Sequence, residues 1–104
     1  MQGYPGMQLL SSSGSPLTTH VIRGGGQFPQ GPANQPPSLV TLAPGQSATF
    51  ALSYEDVPVG NETSCPTSAK AEVTPPTDTA FLVVTVSITA CNGGTIHVSP
   101  VYPT

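Results

Sequence analysis

The stretch that decides the fold is FLVVTVSIT, residues 81–89. Nearly all of its side chains are β-branched, aliphatic or aromatic, and they favour a pleated strand because branching at Cβ restricts χ1. Alternate positions give one apolar row: Leu82, Val84, Val86 and Ile88. The opposite face carries Val83, Thr85 and Ser87. The pattern predicts a strand that begins buried on both faces and ends half-exposed.

Turn chemistry follows this strand at residues 92–94, NGG, because asparagine and glycine tolerate positive φ. Residues 95–101 form the next predicted strand, in which Ile96 and Val98 can continue the same apolar face. The sequence therefore predicts a β-hairpin at the centre of a small all-β domain.

A second hairpin is predicted between residues 69–73 and 81–90, with Cys65 and Cys91 at its open end. Even cysteine counts in small β domains usually mean a bridge. Matching the apolar faces pairs Val73 with Leu82, Ala71 with Val84 and Ala69 with Val86. These residue numbers add up to 155, whereas direct pairing of the cysteines requires 156, a difference of one residue that either a bulge or the loop at Cys65-Pro66 could absorb. We predict a Cys65–Cys91 disulfide.

The first half of the chain contributes four more predicted strands, at residues 7–10, 17–23, 38–42 and 47–54. The first two are expected to pair as a hairpin with a polar loop. The segment 43–46, APGQ, suits a type II turn, with Pro44 and Gly45 at its two central positions. In the strand that follows, the inward face is predicted to be Ala48, Phe50, Leu52 and Tyr54.

Two loops separate these strands. Residues 24–37 form a long Gly/Pro-rich loop without periodicity or a titratable side chain, so we predict that it carries no active site and tolerates shortening. Its Gly24-Gly25-Gly26 run lacks the spacing of a phosphate-binding loop. Residues 55–64 are predicted to form a polar loop.

Composition limits the partners of this 104-residue chain, which is long enough for one domain. Charged residues make up 7% and the net charge is −3, with only Arg23 and Lys70 basic. Two cations cannot neutralise a phosphate backbone, which argues against nucleic acid as a partner. No apolar run reaches the length of a membrane span.

The cysteines favour an oxidising compartment. Residues 1–5, MQGYP, have neither a basic n-region nor an apolar h-region, so the chain as it stands has no signal peptide. We expect a secreted or cell-envelope protein whose targeting segment is absent from this chain. A cytoplasmic location is the alternative.

Catalysis receives little support from the residue pattern. His20 and His97 lie in the middle of predicted strands, and a Ser-His-Asp set would have to use Asp56 or Asp78, which no spacing connects to either histidine. Two cysteines and two histidines could bind zinc, but no C-x-x-C or H-x-x-x-H spacing is present. We therefore predict no catalytic, cofactor-binding or metal-binding residues.

Several segments, in this order, carry a family resemblance: GYPGMQLL at 3–10, VTLAPGQSA at 40–48, Cys65-Pro66, VTPP at 73–76, Cys91 and VSPV at 98–101. Together they resemble the domain of unknown function 4232 family, found in actinobacterial secreted proteins and lipoproteins. The resemblance implies an immunoglobulin-like sandwich in an exported protein, and it implies no activity or catalytic residue. Family members usually have further strands and a cysteine just before the GYPG segment. The comparison therefore leaves room for one or two missing N-terminal strands.

The resulting expectation is a single domain, residues 1–104, folded as an all-β immunoglobulin-like β-sandwich of about seven short antiparallel strands. Its predicted function is that of a non-enzymatic binding module with a protein or cell-wall partner. A small secreted hydrolase or ligand-binding protein is the alternative. A sandwich that lacks a strand exposes a sheet edge. We therefore expect a homodimer, formed by edge pairing or by exchange of the hairpin at 7–23, with a monomer as the alternative.

Overall fold

The computed structural model describes residues 1–28, 30–41, 44–77 and 80–103. Within these residues the chain forms eight strands, and the only helix is a 3-10 turn at Pro32–Asn34. The strands are β1 (Gly6–Leu10), β2 (His20–Arg23), β3 (Ala48–Thr49), β4 (Leu52–Tyr54), β5 (Lys70–Thr74), β6 (Leu82–Thr85), β7 (Thr95–Val98) and β8 (Tyr102–Pro103). The chain is therefore all-β, as predicted, and its strands form three small sheets.

The first sheet has the order β1-β5-β6 and is antiparallel throughout. β5 ends just before Pro75-Pro76, because proline has no N–H to continue a ladder. The predicted hairpin of β5 and β6 is confirmed, and Ala71 lies opposite Val84 in the register that adds up to 155.

Of the two alternatives for the one-residue mismatch, the structure has the bulge, at the open end of this hairpin. Thr67 bridges Thr89, which adds up to 156, so the second strand contains one more residue than the first between this bridge and the Lys70–Thr85 pair. The buried Ser68 fills the gap: its hydroxyl donates to Val86 O at 2.9 Å and accepts from Ile88 N at 3.0 Å. A side chain thus satisfies the backbone groups that the bulge takes out of the ladder.

The predicted disulfide closes the same end. Cys65 and Cys91 are bonded, with their Cα atoms 5.2 Å apart, and Cys91 is fully buried. The Cys91 N–H donates to Glu55 O at 2.7 Å, which holds the loop after β4 beside the bridge. The bridge therefore anchors both the hairpin and the neighbouring loop.

The second sheet has the order β2-β7-β4, with β7 parallel to β2 and antiparallel to β4. The parallel pair corrects the expectation of a wholly antiparallel fold. β7 is the central strand, and its Ile96 and Val98 are fully buried, as their predicted inward orientation requires.

The predicted hairpin of residues 81–89 with 95–101 is wrong, because β6 and β7 belong to different sheets. The turn between them has the expected positive φ at Asn92, Gly93 and Gly94. However, Gly94 lies so close to the Thr18 backbone that a Cβ there would overlap with Thr18 O, and Gly94 O accepts the His20 N–H. Through this long-range contact, the chain after the turn joins the second sheet.

The predicted hairpin of residues 7–10 with 17–23 is also wrong. The loop after β1 returns as far as Leu17, whose N–H donates to Leu9 O. Beyond that point the Thr19 hydroxyl, rather than a backbone carbonyl, accepts the Leu9 N–H. A side chain thus takes the place of the next backbone hydrogen bond between the two segments, and β2 pairs with β7 instead.

The strand predicted at residues 47–54 is two strands in different sheets, since β3 pairs with β8 and β4 pairs with β7. The break lies at Ala51, whose N–H donates to the Ser99 hydroxyl and whose carbonyl accepts the Ser99 N–H. Tyr54, predicted to face inward, is exposed at the end of β4. A smooth alternation of residue types thus hides a change of sheet.

The strand predicted at residues 38–42 is not present in its described part, 38–41. Instead, Met1 and Val40 exchange two backbone hydrogen bonds of 2.6 Å each, and Val40 is buried. Leu42 and Ala43, from the predicted strand and the turn after it, lie outside the described residues. Gly45 has a φ of 84°, which suits the third position of a type II turn.

The core draws on both three-stranded sheets and on the segment between β6 and β7: Leu9, Ala71, Ile88, Ala90, Ile96 and Val98. Along residues 81–89 the predicted order of burial is reversed, because Leu82 is exposed and Ile88 is buried. The reason is topological: β6 lies at a sheet edge, whereas the chain enters the core at the bulge, from Ile88 onward.

Candidate functional site: an apolar strand edge and a polar pocket

The first candidate surface is the apolar edge, which we define as residues 81–84. It is formed by four consecutive side chains, with exposed fractions of 52% for Phe81, 66% for Leu82, 54% for Val83 and 40% for Val84. Single exposed apolar residues are ordinary, but a contiguous apolar patch on a small domain indicates a binding surface. Within the part of the chain that the structure describes, only β5 pairs with β6, so one side of the strand is left as an edge.

The register explains why this strand remains uncovered. Leu9, Ala71 and Val84 lie side by side on the core face of the first sheet, and their exposed fractions are 2%, 0% and 40%. Core side chains thus cover β1 and β5 but leave β6 partly exposed. The apolar edge is an extension of the core face that nothing within the described chain covers.

The apolar edge carries no charge. β6 reads LVVT, and Lys70 and Glu72 on the adjacent strand lie opposite Thr85 and Val83. Natural edge strands are usually protected from pairing by charged residues, proline or bulges. None of these interrupts residues 81–84, which leaves the strand open to another strand.

The second candidate is the polar pocket, a cavity of about 380 Å³ on the outer face of the second sheet. Its base is the cross-strand pair of Ser53 on β4 and His97 on β7. Gly25, Gly26, Gln27, Tyr54 and Glu55 complete the lining. The pocket thus collects mostly polar residues from three segments that are distant in sequence.

Two contacts shape this polar pocket. His97 Nδ1 lies 2.9 Å from Gly24 O, and a carbonyl can only accept, so Nδ1 carries the proton. A Cβ on Gly26 would lie 2.7 Å from His97 Cβ and 3.0 Å from Ser53 Cβ. Glycine is therefore required for the loop to approach the sheet this closely.

The residues weighed for catalysis and metal binding do not assemble. His20 is exposed at the start of β2, and Asp56 is exposed in a loop. Asp78 lies outside the described residues. No hydrogen bond joins the side chains of Ser53 and His97 among the described residues, and the cysteines are oxidised. In the described part of the chain, no group of three histidine, cysteine or acidic residues could hold a metal ion.

Sequence reasoning missed Glu62, which lies in a loop that composition marks only as polar. Its carboxylate accepts the N–H groups of Val59 at 2.9 Å, Asn92 at 2.8 Å and Gly93 at 3.3 Å. These bonds, with Val59 first and then Asn92 and Gly93, lower the pKa of Glu62 below its usual value. No sequence signal links position 62 to the turn 30 residues later.

The long loop at 24–37 makes more contacts with the domain than its composition predicts. Ala33, in the 3-10 turn, is buried, and a pocket of about 280 Å³ lies between Tyr4, Phe28 and Pro100. The loop also supplies residues 25–27 of the polar pocket. The sequence-based view of a dispensable connection therefore needs revision.

These features define a small, disulfide-linked, all-β domain with an open strand edge. A family model described as "Domain of unknown function (DUF4232)" matches residues 1–102, so the chain belongs to that family. The resemblance found in the sequence is thereby confirmed at the level of the family. No curated protein and no solved structure matches the chain. Among the described residues, no helix has the length and apolar character needed to cross a membrane.

Proposed function

We propose that this protein is a non-enzymatic interaction module, secreted or held in the cell envelope, that acts through the apolar edge. The observation that carries the proposal is the set of four consecutive exposed apolar side chains on an edge strand. Strand addition at such an edge gains backbone hydrogen bonds and buries side chains at the same time. Pairing partners of this kind can be another protein or a second copy.

We further propose that the occupant is a second copy of this chain, which gives a two-fold dimer. An uncharged strand can lie antiparallel to itself without placing like charges opposite each other. The uncovered core face at Leu82 and Val84 would then be continued by the same face of the partner. Exchange of a hairpin at 7–23 is no longer favoured as the mechanism, since β1 and β2 do not pair with each other.

Two broader proposals accompany the dimer. We infer an immunoglobulin-like arrangement of the sheets, supported by a core cluster that draws on both three-stranded sheets. We infer export, supported by the disulfide, because such bonds persist in oxidising compartments. An experimental structure in which the two sheets share no core would contradict the first. Reduced cysteines in protein isolated from its native compartment would contradict the second.

The dimer is tested with the substitution Leu82→Lys, measured by light scattering across a dilution series. We expect the wild-type protein to pass from dimer to monomer on dilution and the variant to be monomeric throughout, because a lysine on an edge strand opposes pairing. The matched control is Leu39→Lys, which changes an apolar residue that is 71% exposed and lies outside the apolar edge.

The control should behave like the wild type. A wild-type protein that is monomeric at every concentration, or equal loss of the dimer in both variants, would contradict the proposal. Thermal unfolding of the two variants verifies that each is folded, which is expected because both positions are exposed.

A second candidate function is that of a small ligand-binding protein. The convergence of polar groups in the polar pocket favours it. A hydrolase is less well supported, since acyl transfer needs a nucleophile in hydrogen-bond contact with its base, and Ser53 makes no such contact with His97.

A further inference from the structure

We propose that the polar pocket binds a neutral polyhydroxylated ligand, a sugar ring in the first place. The site lies on the second sheet, whereas the apolar edge belongs to the first. This inference does not depend on the dimer, and separate experiments test the two proposals.

Hydrogen-bonding capacity is the first argument. With Nδ1 donating to Gly24 O, Nε2 is the ring nitrogen of His97 that is left to bond a ligand. The hydroxyl of Ser53, directly across the strand pair, forms no hydrogen bond with another described residue. Gln27 and Glu55 also line the pocket, and an amide side chain can both donate and accept, whereas a carboxylate accepts. Such a mixture suits hydroxyl groups, which donate and accept at the same atom.

Charge is the second argument. Among the described residues, no lysine or arginine lines the polar pocket, and the acidic Glu55 is its one formally charged residue. A phosphate or carboxylate ligand would meet a like charge without a neutralising cation. The lining side chains are mostly polar, which also disfavours an acyl chain. A neutral, polar molecule remains the best match.

Shape is the third argument. A volume of about 380 Å³ lies near the lower end of small-molecule sites, which span roughly 300–1,000 Å³. Gly26 lets the loop approach the β4–β7 pair closely enough to make one wall of the pocket. The cavity therefore suits one ring rather than an extended chain.

The test is a titration of the ¹⁵N-labelled protein with glucose, galactose, mannose and N-acetylglucosamine, followed by NMR. We expect at least one sugar to give saturable shifts at Gly25, Gly26 and the His97 ring, with a dissociation constant of about 1 mM, typical of a single shallow site. Methyl glycosides form a second arm. If a methyl glycoside binds as tightly as the free sugar, the pocket binds the end of a glycan. If the methyl glycoside does not bind, the pocket binds the free sugar.

The matched variants are Ser53→Ala, which removes a hydroxyl in the polar pocket, and Ser87→Ala, which removes an exposed hydroxyl elsewhere. We expect Ser53→Ala to weaken binding about 5–10-fold, as for the loss of one hydrogen bond, and Ser87→Ala to leave it unchanged. Glucose 6-phosphate should bind more weakly than glucose. Absence of saturable shifts with every sugar, equal affinity in both variants, or tighter binding of the phosphate ester would overturn the proposal.

Discussion

At the scale of single residues, two side chains form hydrogen bonds with backbone groups that the sheets leave unpaired. Ser68 satisfies a donor and an acceptor in the bulge, and Glu62 accepts three N–H groups across two loops. Both act where regular pairing stops, at the end of the domain that contains the disulfide. Neither position stands out in the sequence, because the partners of each are distant along the chain.

Replacing Ser68 by alanine should lower the free energy of unfolding by about 1–3 kcal/mol, because it leaves Val86 O and Ile88 N without partners in a buried site. Urea unfolding measures the change. The control Ser87→Ala lies in the same bulge but is exposed, and should change stability by less than about 0.5 kcal/mol. Equal midpoints for the two variants would show that the Ser68 hydroxyl is not needed there.

The lowered pKa of Glu62 makes stability depend on pH, with a sign that follows from linkage. A carboxyl whose pKa is lower in the folded state stabilises the fold above its unfolded pKa of about 4.3, and loses this effect as pH falls through the folded value. Glu62→Gln should therefore lower the unfolding midpoint at neutral pH. The difference from the wild type should shrink in acid below about pH 4.

Thermal unfolding at several pH values measures this trend. Glu72→Gln, on the central strand of the first sheet, controls for the change in net charge. If the Glu62→Gln deficit stayed constant from neutral to acid pH, ionisation of Glu62 would not be its cause.

At the scale of elements, the central strand β7 and the edge strand β6 differ in burial and in pairing, and local sequence does not reveal the difference. β7 and β6 both look like buried strands by composition, but β7 lies between two neighbours and β6 has one. The strand predicted at 47–54 is likewise divided between two sheets at Ala51. Burial and pairing are decided by where an element lies in the sheet.

Amide hydrogen exchange should separate β7 from β6. We expect the amides of Ile96 and Val98 to be among the slowest, since both residues are fully buried in a central strand. In dilute protein, the β6 amides that do not pair with β5 should exchange quickly. Their exchange should slow at high concentration if the dimer forms there, and slow exchange at every dilution would show that the edge is covered within the monomer.

At the scale of the whole molecule, the disulfide closes one sheet's hairpin next to the loop that follows a strand of the other sheet. It closes a loop that contains the β5–β6 hairpin and lies where the chain leaves the first sheet for the second. The Glu55 carbonyl, after β4 of the second sheet, accepts the Cys91 N–H. In a domain of 104 residues, whose core is modest, such a link is a large share of total stability.

Replacing both cysteines by serine should lower the free energy of unfolding by about 3.5 kcal/mol on the chain-entropy model, given a sequence separation of 26 residues. Urea unfolding of the double variant measures this loss. Intact mass after alkylation, with and without reductant, checks the bond itself. Two thiols that react in the absence of reductant would contradict the bridge.

The sequence by itself determined the all-β class, the β5–β6 register, the Cys65–Cys91 pairing and the family. These depend on local strand propensity, on turn chemistry and on the period of two that matches apolar faces within one hairpin. Only the tertiary structure decided that β2 lies parallel to β7 and that residues 92–94 cross between sheets. It also decided that residues 81–84 remain exposed and that Ser53 meets His97. Which strands pair with each other depends on contacts between distant segments, such as that of Gly94 with Thr18. The free energy of such contacts cannot be read from a local pattern of side chains.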